Sequence, residues 1–431
     1  MTINRKLAPN EQIMEILNRN VGTLNILTIS CIKGGLKEEI IRHALDLIKC
    51  RHPRLNSRIV GHVDSLQFSF GNIKIPLRVV QKQSIEQWQE VALEELNQPI
   101  DSNKSLARVV LISFPNDQIN YLMIILHHAI SDGLSTVHLH SEILTYCQKI
   151  VEGKIEENIS SLRPLSKLQE LIPKSKWGKI AAIKRILFLL LLKLKQDLYR
   201  PKTLRFNKCI PPELRRCNMV QRKLNQEITA QLIQVCRKER TTVQGALCAA
   251  MILAASREME SENRAKLRLS CCSCVDLRNR LKNPVNRNNL GILASAIISL
   301  HTVDKNTSFW DLARDVRQQL KTGLESEVIF NMALMSKNIY ESALSRPNEA
   351  PMTVGVTNIG QIDIPNDYGL FQLEEISFAP VEAVFGGVFG VAVTTFQGTM
   401  VLNFMFSEPS MSKKRIEILV NHAFSYIVNA L

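Results

Sequence analysis

The sequence has little of what marks several common protein classes. Aromatic residues are only 6% of the 431-residue chain, with three tryptophans and six tyrosines. So few rings, with no known nucleic-acid motif, leave no stacking platform for single-stranded nucleic acid. The unbroken apolar run Ile186–Leu192 falls far short of the ~18–20 residues that span a bilayer. The polar opening MTINRKLAPNEQIMEIL lacks the long apolar core of a secretory signal. The ten cysteines form no disulfide framework of the short secreted kind. Cys271 and Cys274 make one C-x-x-C within LRLSCCSCVDL, but no second pair or nearby histidine completes a zinc pattern. Cys271, Cys272 and Cys274 read instead as small apolar residues on a buried strand. No G-x-S-x-G elbow supplies a serine nucleophile. A reducing cytoplasm is the expected setting.

What is present is a globular composition, 45% apolar and 22% charged, with material for two or three compact units. The net charge is +14, from 54 basic and 40 acidic residues. Residues 163–223 hold 17 of the basic and 3 of the acidic residues, which is the whole excess; the rest balances at 37 against 37. This stretch includes WGKIAAIKRILFLLLLKLKQDLYR, Trp177–Arg200. A basic, strongly apolar helix suits a membrane surface or a protein groove. A linker helix buried in the protein's own core, with a solvated basic edge, is the alternative, and periodicity does not separate them. Nucleic acid, which wants a general basic face, is not the expected partner.

Helical and strand patterns alternate on both sides of this connector. Helices are expected at Glu11–Arg19, Lys37–Cys50, Ile85–Glu95 with Ser84 as N-cap, and Ser135–Val151 with Ser135 as N-cap. Strands are expected at Leu24–Cys31, Leu106–Phe114 and Tyr121–Leu126, the last two paired around Pro115-Asn116-Asp117. Later come helices at Glu227–Lys238, Thr241–Ser256, Phe309–Leu324 and Ser412–Leu431. Strands follow the same logic at Leu267–Val275, Thr353–Thr357, Val388–Phe396 and Met400–Phe406. The simplest division is two α/β halves, residues 1–162 and 224–431, joined by the connector 163–223.

The informative block is YLMIILHHAISDG, Tyr121–Gly133, where a hydrophobic strand runs into two histidines and then a helix. Side chains alternate across a strand, so His127 and His128 face opposite ways and one of them can serve a given cleft. Zinc on His127, His128, Asp132, His138 and His140 is disfavoured, because the adjacent pair diverges and the spacing matches no zinc pattern.

HHAISDG resembles the H-H-x-x-x-D-G signature of the superfamily of condensation domains and chloramphenicol-acetyltransferase-like acyltransferases. Arg51-His52-Pro53-Arg54-Leu55 resembles the R-H-x-x-L block of condensation domains. Val275-Asp276-Leu277-Arg278-Asn279-Arg280 is similar to the family's arginine-bearing segment, and Asn288-Asn289-Leu290-Gly291 to its N-x-x-G turn. TTVQGALCAAMILAA resembles the helix that opens the second half, and Thr357-Asn358-Ile359-Gly360 the S/T-N-x-G turn. The plant-type D-F-G-W-G block is missing; Phe385-Gly386-Gly387 stands in that region. The nearest branch is that of stand-alone alcohol acyltransferases and the acyltransferases of long-chain lipid diols.

The resemblance implies an α/β fold of two chloramphenicol-acetyltransferase-like subdomains in a V around a central tunnel. It implies an acyltransferase for lipid or natural-product synthesis, moving an acyl group from acyl-CoA or an acyl carrier protein to a hydroxyl. His128 would be the general base, with no metal and no bound cofactor. Asp132 would pair with an arginine, Arg278 first and Arg280 in reserve. His127 and Gly133 would support the loop, and Thr357 and Asn358 would line the tunnel. An amide-forming condensation enzyme with an amine acceptor, and a non-enzymatic module that keeps the fold, are the competing readings. The basic connector could meet a membrane, the phosphates of coenzyme A or an acidic carrier protein.

Overall fold

The computed structural model describes residues 4–22, 24–113, 118–155, 158–173, 179–259 and 266–431. The turn expected at Pro115-Asn116-Asp117 and the connector residues 174–178, Trp177 among them, lie outside these. The chain divides into two α/β units. The first comprises Met1–Leu171, Arg278–Leu293 and Gln361–Val381; the second comprises Ile172–Leu277, Ala294–Gly360 and Glu382–Leu431. Sequence order therefore does not follow the units. Residues 278–293 and 361–381, expected in the second half, belong to the first, and the connector from Ile172 onward belongs to the second.

The first unit is built on a six-stranded sheet. Its order is Asp367–Tyr368, Phe371–Pro380, Asn25–Lys33, Ile119–His127, Ala107–Ser113 and Leu77–Gln81. Ile119–His127 is antiparallel to both of its neighbours. Helices cover both faces of the sheet. Tyr121 stacks on Trp88 of helix Gln87–Leu96, with ring centroids 5.9 Å apart. Ser30, on the opposite face of its strand from Cys31, meets His140 of helix Gly133–Val151 at 2.7 Å. A strand covered on both sides has no solvent face to keep polar, which is why Leu122–Leu126 reads as a continuous apolar run.

The strand Phe371–Pro380 pairs with Asn25–Lys33 although more than 330 residues separate them in sequence. Its pattern FQLEEISFAP carries no local sign of that partner, and it was not expected as a strand. Phe378 is buried and its ring closes on Gly133: a Cβ there would lie 2.9 Å from the ring. Gly133 is thus required by close approach rather than by its backbone angles.

In the second unit the sheet order is Ala294–Val303, Leu267–Asp276, Val354–Gln361, Phe389–Phe396, Thr399–Glu408 and Arg216–Leu224. Helix Val243–Met259 packs against helices Phe309–Glu325 and Lys413–Asn429. Its small residues allow this, and at Gly245 a Cβ would meet the Ala313 carbonyl at 2.6 Å.

Two helix starts differ from expectation. Helix Gln87–Leu96 is preceded by Glu86, so Ser84 is not its cap. The helix after the histidines begins at Gly133 with Asp132 as its cap, and Ser135 sits one turn inside. Asp132 accepts from the Ser135 N–H at 2.9 Å, and the Asp132 N–H donates back to Ser135 Oγ at 2.9 Å. This reciprocal box satisfies two otherwise orphaned donors. The buried-linker alternative for the connector does not hold either, since helix Lys179–Tyr199 keeps large apolar side chains exposed.

Truncating Phe378 removes the ring that fills the space over Gly133. Phe378→Ala is expected to destabilise the protein by about 3–5 kcal/mol in urea unfolding, and a loss under about 1 kcal/mol would show that the strand is not part of the core.

Candidate active site

The two histidines sit where strand Ile119–His127 leaves its sheet. His127 is the last paired residue, opposite Asn25, and its N–H donates to the Leu106 carbonyl at 2.9 Å. A single 3-10 turn, His128–Ile130, then reverses the chain into the helix. His127 is fully buried, whereas His128 is half-buried.

Their hydrogen bonds assign opposite tautomers. The Ala129 N–H donates to His127 Nδ1 at 3.0 Å, so that nitrogen carries no proton. The proton is then on Nε2, which lies 2.8 Å from Glu15 Oε2. At His128 the partner is a carbonyl: Nδ1 is 2.7 Å from Ser131 O, which can only accept. Nδ1 therefore holds the proton, and Nε2 keeps its lone pair. Burial pulls the His128 pKa below 6.5 against the opposing pull of the Ser131 carbonyl and the Asp132 carboxylate. The ring is neutral at pH 7, the form a proton acceptor needs.

Asp132 faces away from this lone pair and is buried. Its Oδ1 accepts from Arg278 Nη2 at 3.0 Å and from the Ser135 N–H; its Oδ2 accepts from the Leu293 N–H at 2.9 Å. Burial works to raise its pKa, but Arg278 and these donors hold it below 3.8. Arg278 and Leu293 are the two ends of the segment 278–293, so one carboxylate fastens both. Arg280, two residues on, is exposed.

Glu142, on the same helix, gathers the Arg51-His52 block. Arg51 Nε lies 2.6 Å from Oε1 and His52 Nε2 lies 2.7 Å from Oε2. Asn288 Nδ2 donates to Oε1 at 3.2 Å, which ties the N-x-x-G turn to the same carboxylate. His138 and His140 are buried in the helix, and burial drives the His140 pKa down to about 3. Thr357 and Asn358 belong to the second unit. Thr357 Oγ1 donates to Cys274 Sγ at 3.2 Å, and Asn358 Oδ1 accepts from the Gly360 N–H at 2.8 Å. Cys271 is buried, while Cys272 and Cys274 are half-buried.

Residues 214–385 match the family described as phthiocerol/phthiodiolone dimycocerosyl transferase C-terminus. Solved structures share the fold over almost the full length. Polyketide synthase associated protein 5 from Mycobacterium tuberculosis is 18% identical, with a TM-score of 0.71, covering 98% of this chain and 97% of that one. The trichothecene 15-O-acetyltransferase from Fusarium sporotrichioides is 12% identical, with a TM-score of 0.78 and coverage of 99% and 95%. The first condensation domain of the calcium-dependent antibiotic synthetase is 12% identical, with a TM-score of 0.74 and coverage of 99% and 95%. A sequence comparison with curated proteins finds no match. The chain has the fold of condensation domains and the related acyltransferases.

Two carboxylates near these residues escape a reading of the sequence. Glu15 is buried, against His127, with Ser102 Oγ donating to it at 2.6 Å and Arg19 Nε at 2.5 Å. Burial opposes its ionisation, yet His127, Ser102 and Arg19 keep its pKa below 4.5. Glu15 and Glu142 both stand in amphipathic helices, where an acid ordinarily marks the solvated face, so no local pattern reveals them.

Removing one partner of a buried ion pair leaves the other uncompensated. Arg278→Ala is expected to cost about 3–5 kcal/mol in denaturant unfolding. Asp132→Asn should lose part of this, and its deficit should depend on pH. A depressed carboxylate pKa contributes stability above its unfolded value near 3.8, and that contribution is lost as pH falls through the folded value. Thermal midpoints of wild type and Asp132→Asn should therefore converge below about pH 4; parallel curves there would separate Asp132 from this role.

Proposed function

We propose that the protein is an acyltransferase, which moves an acyl group from a thioester, carried by coenzyme A or an acyl carrier protein, to a hydroxyl of a lipid or natural-product acceptor. His128 is the general base. The observation that carries this reading is the His128 tautomer: Nδ1–H is committed to Ser131 O and the ring is neutral, so Nε2 is free to accept a proton. The family match over residues 214–385 supports a lipid-type hydroxyl acceptor, since its description is of a phthiocerol/phthiodiolone transferase.

In this reaction Nε2 takes the hydroxyl proton as the acceptor oxygen attacks the thioester carbonyl. The tetrahedral intermediate collapses, the C–S bond breaks, and the imidazolium gives its proton to the departing sulfur, which leaves as the thiol and restores neutral His128. The thioester is already activated, so neither a metal nor a covalent acyl-enzyme is needed. The fixed Nδ1–H···O=C bond stabilises the imidazolium while that proton is in transit. Asp132, Arg278, His127 and Gly133 position the loop and take no proton. Thr357 and Asn358 are proposed to contact substrate. An amine acceptor would use the same base and give an amide.

His128→Ala should lower kcat/KM by about 10²–10⁴-fold while leaving the unfolding midpoint unchanged. In the wild type, kcat/KM should be flat around pH 7 and fall on acidification below pH 6.5, as Nε2 becomes protonated; the variant should lack this limb. Near-wild-type turnover in His128→Ala would defeat the mechanism. Alcohols and amines offered with one thioester, with products identified by mass spectrometry, decide between ester and amide.

A further inference from the structure

Helix Lys179–Tyr199 of the second unit is apolar around most of its circumference, which ordinarily requires burial on all sides. One face is nevertheless open. Ile183, Ile186, Leu187, Leu190, Leu191 and Leu194 are 51–66% exposed, and Leu198, one turn further on, is 70% exposed. At 3.6 residues per turn these positions form one stripe about 140° wide and about 22 Å long. Phe188, Leu192 and Tyr199, on the opposite side, are half-buried.

The C-terminal end of the helix is tied to the strands of its unit. Tyr199 Oη lies 3.1 Å from Thr302 Oγ1, and Arg268 Nη1 donates to the Tyr199 carbonyl at 3.3 Å. The Arg268 guanidinium stacks on the Tyr199 ring at 5.4 Å, and the Lys202 N–H donates to the Arg268 carbonyl at 2.7 Å.

We infer that this face is a docking surface for an anionic lipid bilayer, on which the helix lies flat. Charge and shape choose this occupant. Lys193 and Lys195 are exposed and flank the stripe on either side, placed to extend their ammonium groups to lipid phosphates while their methylenes lie along the apolar face. The helix carries five basic residues and a single acid, Asp197, and the surrounding residues 163–223 carry the chain's whole excess charge. The stripe is wider than the narrow seam of a coiled-coil pair. Among the described residues no helix is long and apolar enough to cross a membrane, so the contact is with the surface. This inference concerns binding and stands independently of the acyl-transfer reading.

The test is flotation of the full-length protein with phosphatidylcholine vesicles with or without phosphatidylglycerol. Wild type should float with the anionic vesicles, less so at high salt, and stay behind with pure phosphatidylcholine. Leu187→Glu/Leu190→Glu/Leu194→Glu should abolish flotation with an unchanged unfolding midpoint. Lys193→Glu/Lys195→Glu, which spares the apolar stripe, should weaken it by roughly tenfold or more. Absence of wild-type flotation, or flotation of the triple Glu variant equal to wild type, overturns the inference. So does light scattering that finds a dimer which the triple variant converts to monomer, because the face would then cover a second copy.

Discussion

The buried carboxylate of Asp132 is the constraint on which the first unit's chemistry depends. It caps the helix that follows the histidines, pairs with Arg278 and receives the Leu293 N–H. An isolated carboxylate at this depth would be costly, and three directed donors are what make its ionised form stable there. Because Arg278 and Leu293 bound one segment, a single group fixes the loop from His127 to Gly133 and also the chain that returns to it from far along the sequence. Removing either partner leaves a charge without compensation, which couples the geometry of the histidine loop to the packing of residues 278–293.

Within that loop, adjacent residues of one chemical type acquire different properties. His127 ends the strand, presents a bare Nδ1 to the Ala129 N–H and turns Nε2 to Glu15. His128 is the first residue off the ladder, gives its Nδ1 proton to a carbonyl and keeps the lone pair on Nε2. Backbone partners two or three residues away set both tautomers, so the assignment is local. What keeps the turn from relaxing is long-range: Phe378 closes over Gly133, and Glu142 binds Arg51, His52 and Asn288.

The electrostatic asymmetry of the chain belongs to a different part of the molecule. The sites around Asp132, Glu142 and Glu15 are locally balanced, with each acid met by basic groups. The excess positive charge lies instead around an apolar helix whose outward face is exposed among the described residues. Apolar side chains and lysines share that exposed surface, and the proposed bilayer contact is argued from this combination.

Much of this was legible in the sequence because it is local. The motif HHAISDG, the strand before it and the helix after it follow from a few consecutive residues, and so does the divergence of the two histidines. The cap of the helix was misplaced by three residues because Ser135 and Asp132 are both good capping residues, and only the folded backbone shows which N–H groups need an acceptor. Periodicity could not say whether the connector helix is covered, since a buried helix and a surface-docking one share the pattern; exposure at Ile183, Leu190 and Leu198 decided it. The sequence by itself determined the chemical types at the site and the location of the charge. Tertiary structure alone decided that residues 278–293 and 361–381 belong to the first unit, that Glu15 is buried and that a half-buried Glu142 gathers Arg51, His52 and Asn288. Ionic and strand pairing act through space, and nothing in local spacing encodes a partner that lies hundreds of residues away.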